Sequence, residues 1–556
     1  MTAPSSKRVV VVGAGPGGLA AAAELAALGF QVDLVEKNAH LGGKLNVCSE
    51  GGFTFDMGPT IITLPQVLTG IFERAGRRPS DYVELVNLDP QWRCFYEDGV
   101  VLDLVRDVDR MAARLDQQFP LERPGEGYRA IVEFSRRMMR LSGKVFFFRD
   151  LGGVADLIFR ERPKDPDVAR DALAMRMHST VAGTIHAKVS EPHVRQMCEH
   201  FLQYVGSSPF LAPAILTLIA SAQVDHGCWY PMGGTRMVAR SLERLCGELG
   251  VRFHLGTGVK QIHVGPAGAG RSRGGKQLQV LGVELNDGTQ LPADAVVSNC
   301  DVQRTYRDLI ARPEAIDAQR KIGARYKPAC SGVVLYLGLD RRYEHLAHHN
   351  FLFSRDSHSE FDDIYHKNIP ARDPTLYIAA PSRTDPDQAP SGGEALYILV
   401  HTAAIQQNTP SWTAPGGLMD QYTPVIMDKL RRFGMKDVDE RIVVKRTLSP
   451  AGIRELYNAE GGAIYGLASH GRLHGGFKPR NRSDVYGGLY LCGGSVNPGP
   501  GVPMALMSGV TAARALAEDA GVDVKPVALG SPLAFQPSQS AASSSLAPDQ
   551  LAAAPS

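Results

Sequence analysis

The sequence predicts an α/β protein: a discontinuous dinucleotide-binding domain, a second domain of α+β character and a largely helical insertion. Three observations predict it. Val9, Val10, Val11 and Val12 run into glycines at G-x-G-x-x-G spacing, Gly13, Gly15 and Gly18. An acidic residue, Glu36, closes the next apolar run, roughly twenty residues on. A second strand–glycine loop–helix pattern returns near the other end of the chain, over residues 488–518.

Each residue type in the first stretch has a physical role. The β-branched residues form the short apolar run that a strand buried on both faces requires. Gly13 permits a tight strand-to-helix turn, Gly15 lets backbone approach a pyrophosphate, and Gly18 lets helix and strand pack closely. Residues 19–28 are rich in Ala, Leu and Glu and favour helix, with Gly29 as a stop. Phosphates sit on the free N–H groups at such a helix start. Glu36 ends a second strand from Gln31, where a carboxylate binds ribose hydroxyls and repels a 2′-phosphate. NADP is therefore disfavoured. A lone G-x-G-x-x-G is weak, but here strand, helix and acid supply its context.

Bulk properties narrow the class. A chain of 556 residues suggests about two to four structural units. Charged residues make up 21% and balance to +2, which gives no reason to expect a nucleic-acid partner. The eight cysteines lack C-x-x-C spacing, so neither a zinc site nor a disulfide framework is indicated. No charged-then-apolar leader precedes the first strand, and no run reaches about 18 apolar residues. The expectation is a cytoplasmic protein able to touch a membrane surface. His345, His348, His349, His358 and His366 crowd one region without supporting Cys or repeated carboxylates, and no metal site is expected.

Gly42 and Gly43 follow Glu36; they fit a second close backbone approach to a cofactor larger than NAD, or a surface turn. Residues 52–60 alternate aromatic and small, and turn sharply at 56–59. A helix over 64–74 and short strands over 82–103 come next, with Asp98-Gly99 as a hairpin turn. Residues 107–219 turn largely helical. There Val145, Phe146, Phe147 and Phe148 lead into Arg149-Asp150, and apolar residues 154–159 precede Arg160, Arg162 and Lys164. Apolar residues beside basic ones suit an anionic bilayer surface or internal helix packing. A turn at 228–235 enters a helix over 236–249. β segments at 251–264, 277–285 and 295–299 rejoin the first domain around an exposed Gly/Arg-rich loop, 265–276. After a strand at 488–492 comes a glycine-proline loop, 493–501, and a helix patterned for burial, whose N-terminus is a source of positive potential. The implied boundaries are 1–106, 225–302 and 481–522 for the first domain, 107–224 for the helical region and 303–480 for the second domain. The Pro/Ala/Ser/Gln tail, 523–556, is expected to stay disordered.

These motifs together resemble the bacterial-type phytoene desaturases, the FAD-dependent carotenoid desaturase family, over residues 7–519. Besides the glycines and Glu36, they are Gly52-Phe53-Thr54-Phe55-Asp56-x-Gly58-Pro59-Thr60, Trp229-Tyr230-Pro231-x-Gly233-Gly234-Thr235, Ser298-Asn299-x-Asp301, Thr305-Tyr306-Arg307-Asp308-Leu309 and Leu346-Ala347-His348-His349. The chain departs where the family loop carries Thr-His before Pro and this one has Val496-Asn497-Pro498. Residues 502–506 look more like branches acting on modified or different-length carotenoids. The resemblance implies a Rossmann-type FAD-binding domain, an α+β substrate domain with an apolar tunnel, and a largely helical, membrane-facing insertion. It implies FAD contacts at Gly13, Gly15, Gly18, Glu36, Lys37, Gly42, Gly43 and Lys44, and at Gly58, Pro59 and Thr60. In the C-terminal loop the implied contacts are Gly493, Gly494, Pro498, Gly501, Val502, Pro503 and Met504. Arg149-Asp150 matches a family Phe-Arg-Asp stretch, which implies a part in proton loss, although such a pair is more often structural.

A polyene has no carboxylate, amine or hydroxyl to grip, so its site needs apolar walls and a positioned flavin. The sequence carries no signature of paired catalytic carboxylates or a Ser-His-Asp set. The implied reaction is FAD-dependent desaturation of a linear carotenoid precursor, phytoene or a related C30 or C40 polyene, by hydride transfer with loss of a neighbouring proton. The implied partners are the lipophilic polyene, a membrane surface and an electron acceptor such as oxygen or quinone. Open alternatives are a hydroxycarotenoid 3,4-desaturase, a carotenoid end-group oxygenase, an isomerase or saturase, a flavin amine oxidase, and a non-enzymatic binder of FAD or lipid.

Overall fold

The valine run becomes the strand Arg8–Val12 at the centre of a five-stranded parallel sheet. The computed structural model describes residues 7–153, 156, 174, 176, 178–267, 276–471 and 475–534. Sheet order is Leu489–Leu491, Ala295–Ser298, Arg8–Val12, Gln31–Glu36, Arg252–Leu255, so segments hundreds of residues apart close one sheet. Val9 and Val11 face one core, packed by the helices Pro16–Ala27 and Val502–Asp519. Val10 and Val12 face another, covered by a three-stranded antiparallel sheet of Val259–Pro266, Leu278–Leu285 and Gln290–Pro292. Cover on both faces is why the strand reads as an unbroken apolar run.

The first and last helices meet backbone to backbone. A Cβ on Gly509 would lie 2.0 Å from the Gly17 carbonyl oxygen, and one on Gly18 would lie 2.0 Å from the Gly13 carbonyl oxygen. Buried Glu24 on the first helix pairs with Arg514 Nη1 on the last at 2.7 Å and with Arg74 Nε at 2.9 Å.

The second domain is a seven-stranded mixed sheet. Its order is Ile442–Leu448, Ser331–Leu339, Glu394–Thr402, Leu376–Ala379, His349–Leu352, Trp92–Phe95, Val101–Leu104. The last two strands form the Asp98-Gly99 hairpin, but they belong to this sheet and not to a first domain spanning 1–106. Trp92–Phe95 pairs in parallel with His349–Leu352, a partner that no local pattern reveals. Ser331–Leu339 and Glu394–Thr402 are buried along their whole length. One face packs on the helix Leu418–Arg432, the other on the helical region.

That region contains Val108–Gln118, Gly125–Val145, Val181–His186 and Pro192–His200. Its membrane-facing reading is corrected at Phe146 and Phe147, which are buried, with the Phe146 ring 5.1 Å from that of Phe477. Most of the 154–164 stretch, including Arg160, Arg162 and Lys164, lies outside the described residues, as does 268–275. Among the described residues no helix is long and apolar enough to cross a membrane. The tail departs from its composition at its start: Val524, Leu529 and Leu533 pack against the first core.

Gly509→Val is expected to lower stability by about 3 kcal/mol or more, because overpacking meets a backbone oxygen that cannot rotate away. The thermal midpoint of the apoprotein measures it, and an unchanged midpoint would mean that the helices do not meet as described.

Candidate active site

A cavity of about 520 Å³ starts at the carboxyl ends of the parallel strands and continues between the seven-stranded sheet and the helical region. Its first half is a glycine cradle. Gly13 has φ +90°, Gly493 +95° and Gly501 +102°, values an L side chain resists. A Cβ on Gly15 would lie 2.8 Å from Asn299 Nδ2, and one on Gly43 would lie 3.1 Å from Gly15 Cα. Neither Pro16–Ala27 nor Val502–Asp519 has a side chain capping its N-terminus, and both starts line the cavity. Two sets of free helix N–H groups facing one space form a donor set for phosphate and for an anionic ring edge.

Glu36 is fixed from two sides. Its Oε2 accepts from Ala14 N at 2.9 Å, and its Oε1 accepts from Asn38 N and Nδ2, each at 2.9 Å. Of the predicted cofactor residues, Gly13, Gly15, Glu36, Lys37, Gly43, Lys44, Gly58, Pro59, Thr60, Gly493, Gly494, Pro498, Gly501, Val502, Pro503 and Met504 all line the cavity. Gly18 and Gly42 stand behind the wall. Gly42 donates to Ala14 O at 2.8 Å, and a Cβ on it would press on Ala239 at 2.8 Å. Lys37 turns its ammonium to Glu455 O, 2.9 Å away. Lys44 donates to Ile464 O at 2.5 Å and Ala463 O at 3.2 Å; burial lowers it to about 8. Asn299 and Asp301 also line the cavity. Burial pushes Asp301 up to about 6. Both stand in the Ser298-Asn299-x-Asp301 motif, which pointed to them without giving them a role.

The second half is apolar and aromatic. On a strand, alternate side chains share a face. Val334, Leu399, Tyr377 and Phe351 stand in register across four neighbouring strands and form one wall. Phe146, Phe147, Ile215 and Ile219 from the helical region form the other. The polar groups here are mostly engaged or neutral. Tyr204 OH accepts from Trp92 Nε1 at 2.9 Å and donates to Gln223 Oε1 at 2.5 Å. Tyr377 OH bonds Thr60 Oγ1 and, at 2.9 Å, His349 Nδ1. Burial holds His200 far below the usual imidazole range and His401 at about 4. Among the described wall residues the carboxylates are Glu36 and Asp301, both in the cradle half.

Arg149 and Asp150 are absent from the cavity wall. Asp150 is saturated by Arg480 Nη2 at 2.6 Å, Arg482 Nη1 at 3.0 Å, Asn481 N at 2.7 Å and Arg482 N at 3.1 Å. Burial alone would raise its pKa; Arg480 and Arg482 outweigh that and hold it below the usual carboxylate range. Arg149 O accepts from Asn497 Nδ2 at 2.5 Å. The Arg-Asp pair, whose resemblance to the family implied a part in proton loss, thus engages the 480–482 segment through Asp150 and the glycine-proline loop through Arg149 O.

This fold and cavity define a two-domain flavoprotein with a nucleotide cradle opening into an apolar chamber. Residues 16–517 match the family model of flavin-containing amine oxidoreductases. The chain is 36% identical to a 4,4'-diapolycopene oxygenase of Methylomonas sp, covering 92% of this chain and 98% of that protein. It is 35% identical to a 4,4'-diaponeurosporene oxygenase of Staphylococcus haemolyticus (strain JCSC1435), covering 91% and 96%. An oxidoreductase from Methanosarcina mazei shares the fold at TM-score 0.58 and 16% identity, over 91% of this chain and 99% of that one. Cyclohexylamine oxidase from Brevibacterium oxydans IH-35A does so at 0.55 and 16%, over 93% and 99%. The chain belongs to the bacterial carotenoid desaturase/oxygenase family within the flavin-containing amine oxidoreductases, and it is an FAD-dependent oxidoreductase. The uncapped helix ends and the glycine-lined cradle fit FAD, which when bound supplies the two-electron acceptor.

Two outcomes test the site. Asp150→Ala leaves the buried Arg480 guanidinium with Asp484 at 3.5 Å, while half-buried Arg482 keeps Glu518 and Asp519, and is expected to cost about 3 kcal/mol near neutral pH. A depressed carboxylate stabilises above its unfolded value, about pH 4, and loses that contribution as pH falls through the lower folded value. The gap between wild type and variant in denaturant titrations should therefore close in acid. Glu36→Gln removes a charge-assisted contact of about 1.5–3 kcal/mol and is expected to weaken FAD binding at least tenfold, read by fluorescence titration of the apoprotein.

Proposed function

We propose that this chain oxidises a linear carotenoid polyene at or near one end. The observation that carries the reading is the in-register wall of Val334, Leu399, Tyr377 and Phe351 facing Phe146, Phe147 and Ile219, with no carboxylate among the described residues of that half. Such a chamber excludes water, gives an ammonium substrate no counter-ion, and orients a hydrocarbon by shape alone. The cradle residues from Gly13 to Thr60 and from Gly493 to Met504 hold FAD at its inner end. The activities named for the two relatives favour oxygenation; internal desaturation of the same backbone is the second reading, favoured by the motifs shared with the desaturases. The polyene dissolves only in lipid, so the protein takes it from a membrane surface by peripheral association on the cytoplasmic side. Oxygen or a quinone reoxidises the cofactor.

FAD-loaded protein is mixed with liposomes carrying 4,4'-diapolycopene, 4,4'-diaponeurosporene or phytoene, and products are read by absorption and mass. Oxygenation gives a product that has gained oxygen at a chain end. A product without oxygen but with a longer conjugated system assigns desaturation. Unchanged polyene in every case overturns both readings.

A further inference from the structure

Lys478 is a basic side chain enclosed by neutral groups. Its side chain is buried, and its Nζ donates to Ala468 O at 3.0 Å and Ser469 Oγ at 2.8 Å. The Tyr326 ring lies 5.9 Å from Nζ. Among the described residues no carboxylate comes within ion-pair distance of it, whereas buried Lys429 has Asp373 at 3.0 Å. Enclosing an ammonium with neutral acceptors alone is costly. Burial lowers Lys478 to about 7, and no neighbouring acid counters that shift.

Its location indicates what repays the cost. Lys478 lines the cavity together with Pro498, Pro500 and Gly501 of the glycine-proline loop. Its stem packs on that loop, with Cγ 3.7 Å and Cε 3.8 Å from where a Gly499 Cβ would stand. The contact is clamped: Asn497 N donates to Pro479 O at 2.9 Å, and Asn481 Nδ2 donates to Asn497 O at 3.1 Å. The other helix start, at residues 15–17, has the geometry for a pyrophosphate. Lys478 stands instead beside the start at 501–505, the end left for the flavin ring. A flavin ring held there would carry one negative charge once a hydride, two electrons and one proton, had reduced it.

We propose that Lys478 is the counter-charge that stabilises the reduced flavin and so sets the cofactor's potential. This rests on the chain being an FAD protein and not on which polyene it oxidises. A negative ring also favours the charged lysine, so the two groups stabilise each other.

The test is Lys478→Met, which keeps the apolar stem and removes the charge, read on FAD-loaded protein without any polyene. Sulfite affinity, which reports the protein's tolerance of negative charge on the ring, is expected to fall at least tenfold. The two-electron midpoint potential should fall by about 30 mV for each tenfold loss in stabilisation of the reduced form. The thermal midpoint of the apoprotein should hold or rise, because an uncompensated buried charge has been removed. Should the variant not fold, Lys478→Gln takes its place in the same measurements. A lower apoprotein midpoint with unchanged potential and sulfite affinity would overturn the proposal and leave Lys478 a packing residue.

Discussion

The molecule depends on one contact, the glycine-to-glycine crossing of its first and last helices. Gly17 and Gly509 have no side chains to hold the helices apart, and any Cβ at Gly509 would strike the Gly17 carbonyl. The crossing brings the N-terminal and C-terminal glycine loops to one cavity, although nearly five hundred residues separate them. Glu24, bonded to Arg514 and Arg74, locks the approach with charge where the glycines permit it with space. A buried carboxylate with two guanidinium partners fixes geometry more than it adds stability, since its own desolvation offsets much of the attraction.

The substrate side follows from a different regularity, the two-residue period of a strand. Val334, Leu399, Tyr377 and Phe351 face the cavity because they share one face of a sheet in register, while Val333 and Ile398 on the opposite face bury against the helix Leu418–Arg432. A one-residue slip would exchange the two sets. The wall gains its apolar character from strand pairing, and the helical region closes it with Phe146 and Phe147. At about 25 cal/mol for each Å² of apolar surface buried, a long hydrocarbon in such a chamber gains affinity without any polar anchor.

Much of the cradle was legible in the sequence, because a glycine loop, the helix after it and Glu36 are local features with local physical reasons. Nearly every predicted cofactor residue lines the cavity, and the two that do not, Gly18 and Gly42, do packing work just behind it. What stayed hidden depends on distant pairing. The hairpin at Asp98-Gly99 could be read, but not that Trp92–Phe95 pairs with His349–Leu352 across more than two hundred residues. Asn299 sits in a visible motif whose meaning comes only from the glycines it faces. Phe146 and Phe147 could not be told apart from membrane-seeking residues by composition, since inward and lipid-facing aromatics look alike in a sequence.

Asp150 shows how a residue picked out by a sequence motif can be tied into the framework behind the cavity. An Arg-Asp pair after an aromatic run suggests acid–base chemistry, yet every strong acceptor position of this carboxylate is used on the 480–482 segment. That segment carries Asn481, fully buried, whose Nδ2 reaches Leu491 O, Asn497 O and Ser508 O. Asn497 in turn donates to Arg149 O. The circuit ties the helical region, the last sheet strand, the glycine-proline loop and the last helix together. Each member would leave a buried polar group unpaired if removed, at about 1–3 kcal/mol apiece. The glycine-proline loop that frames the cavity is thus held from behind by polar groups, and the face it turns to the cavity stays free of acids.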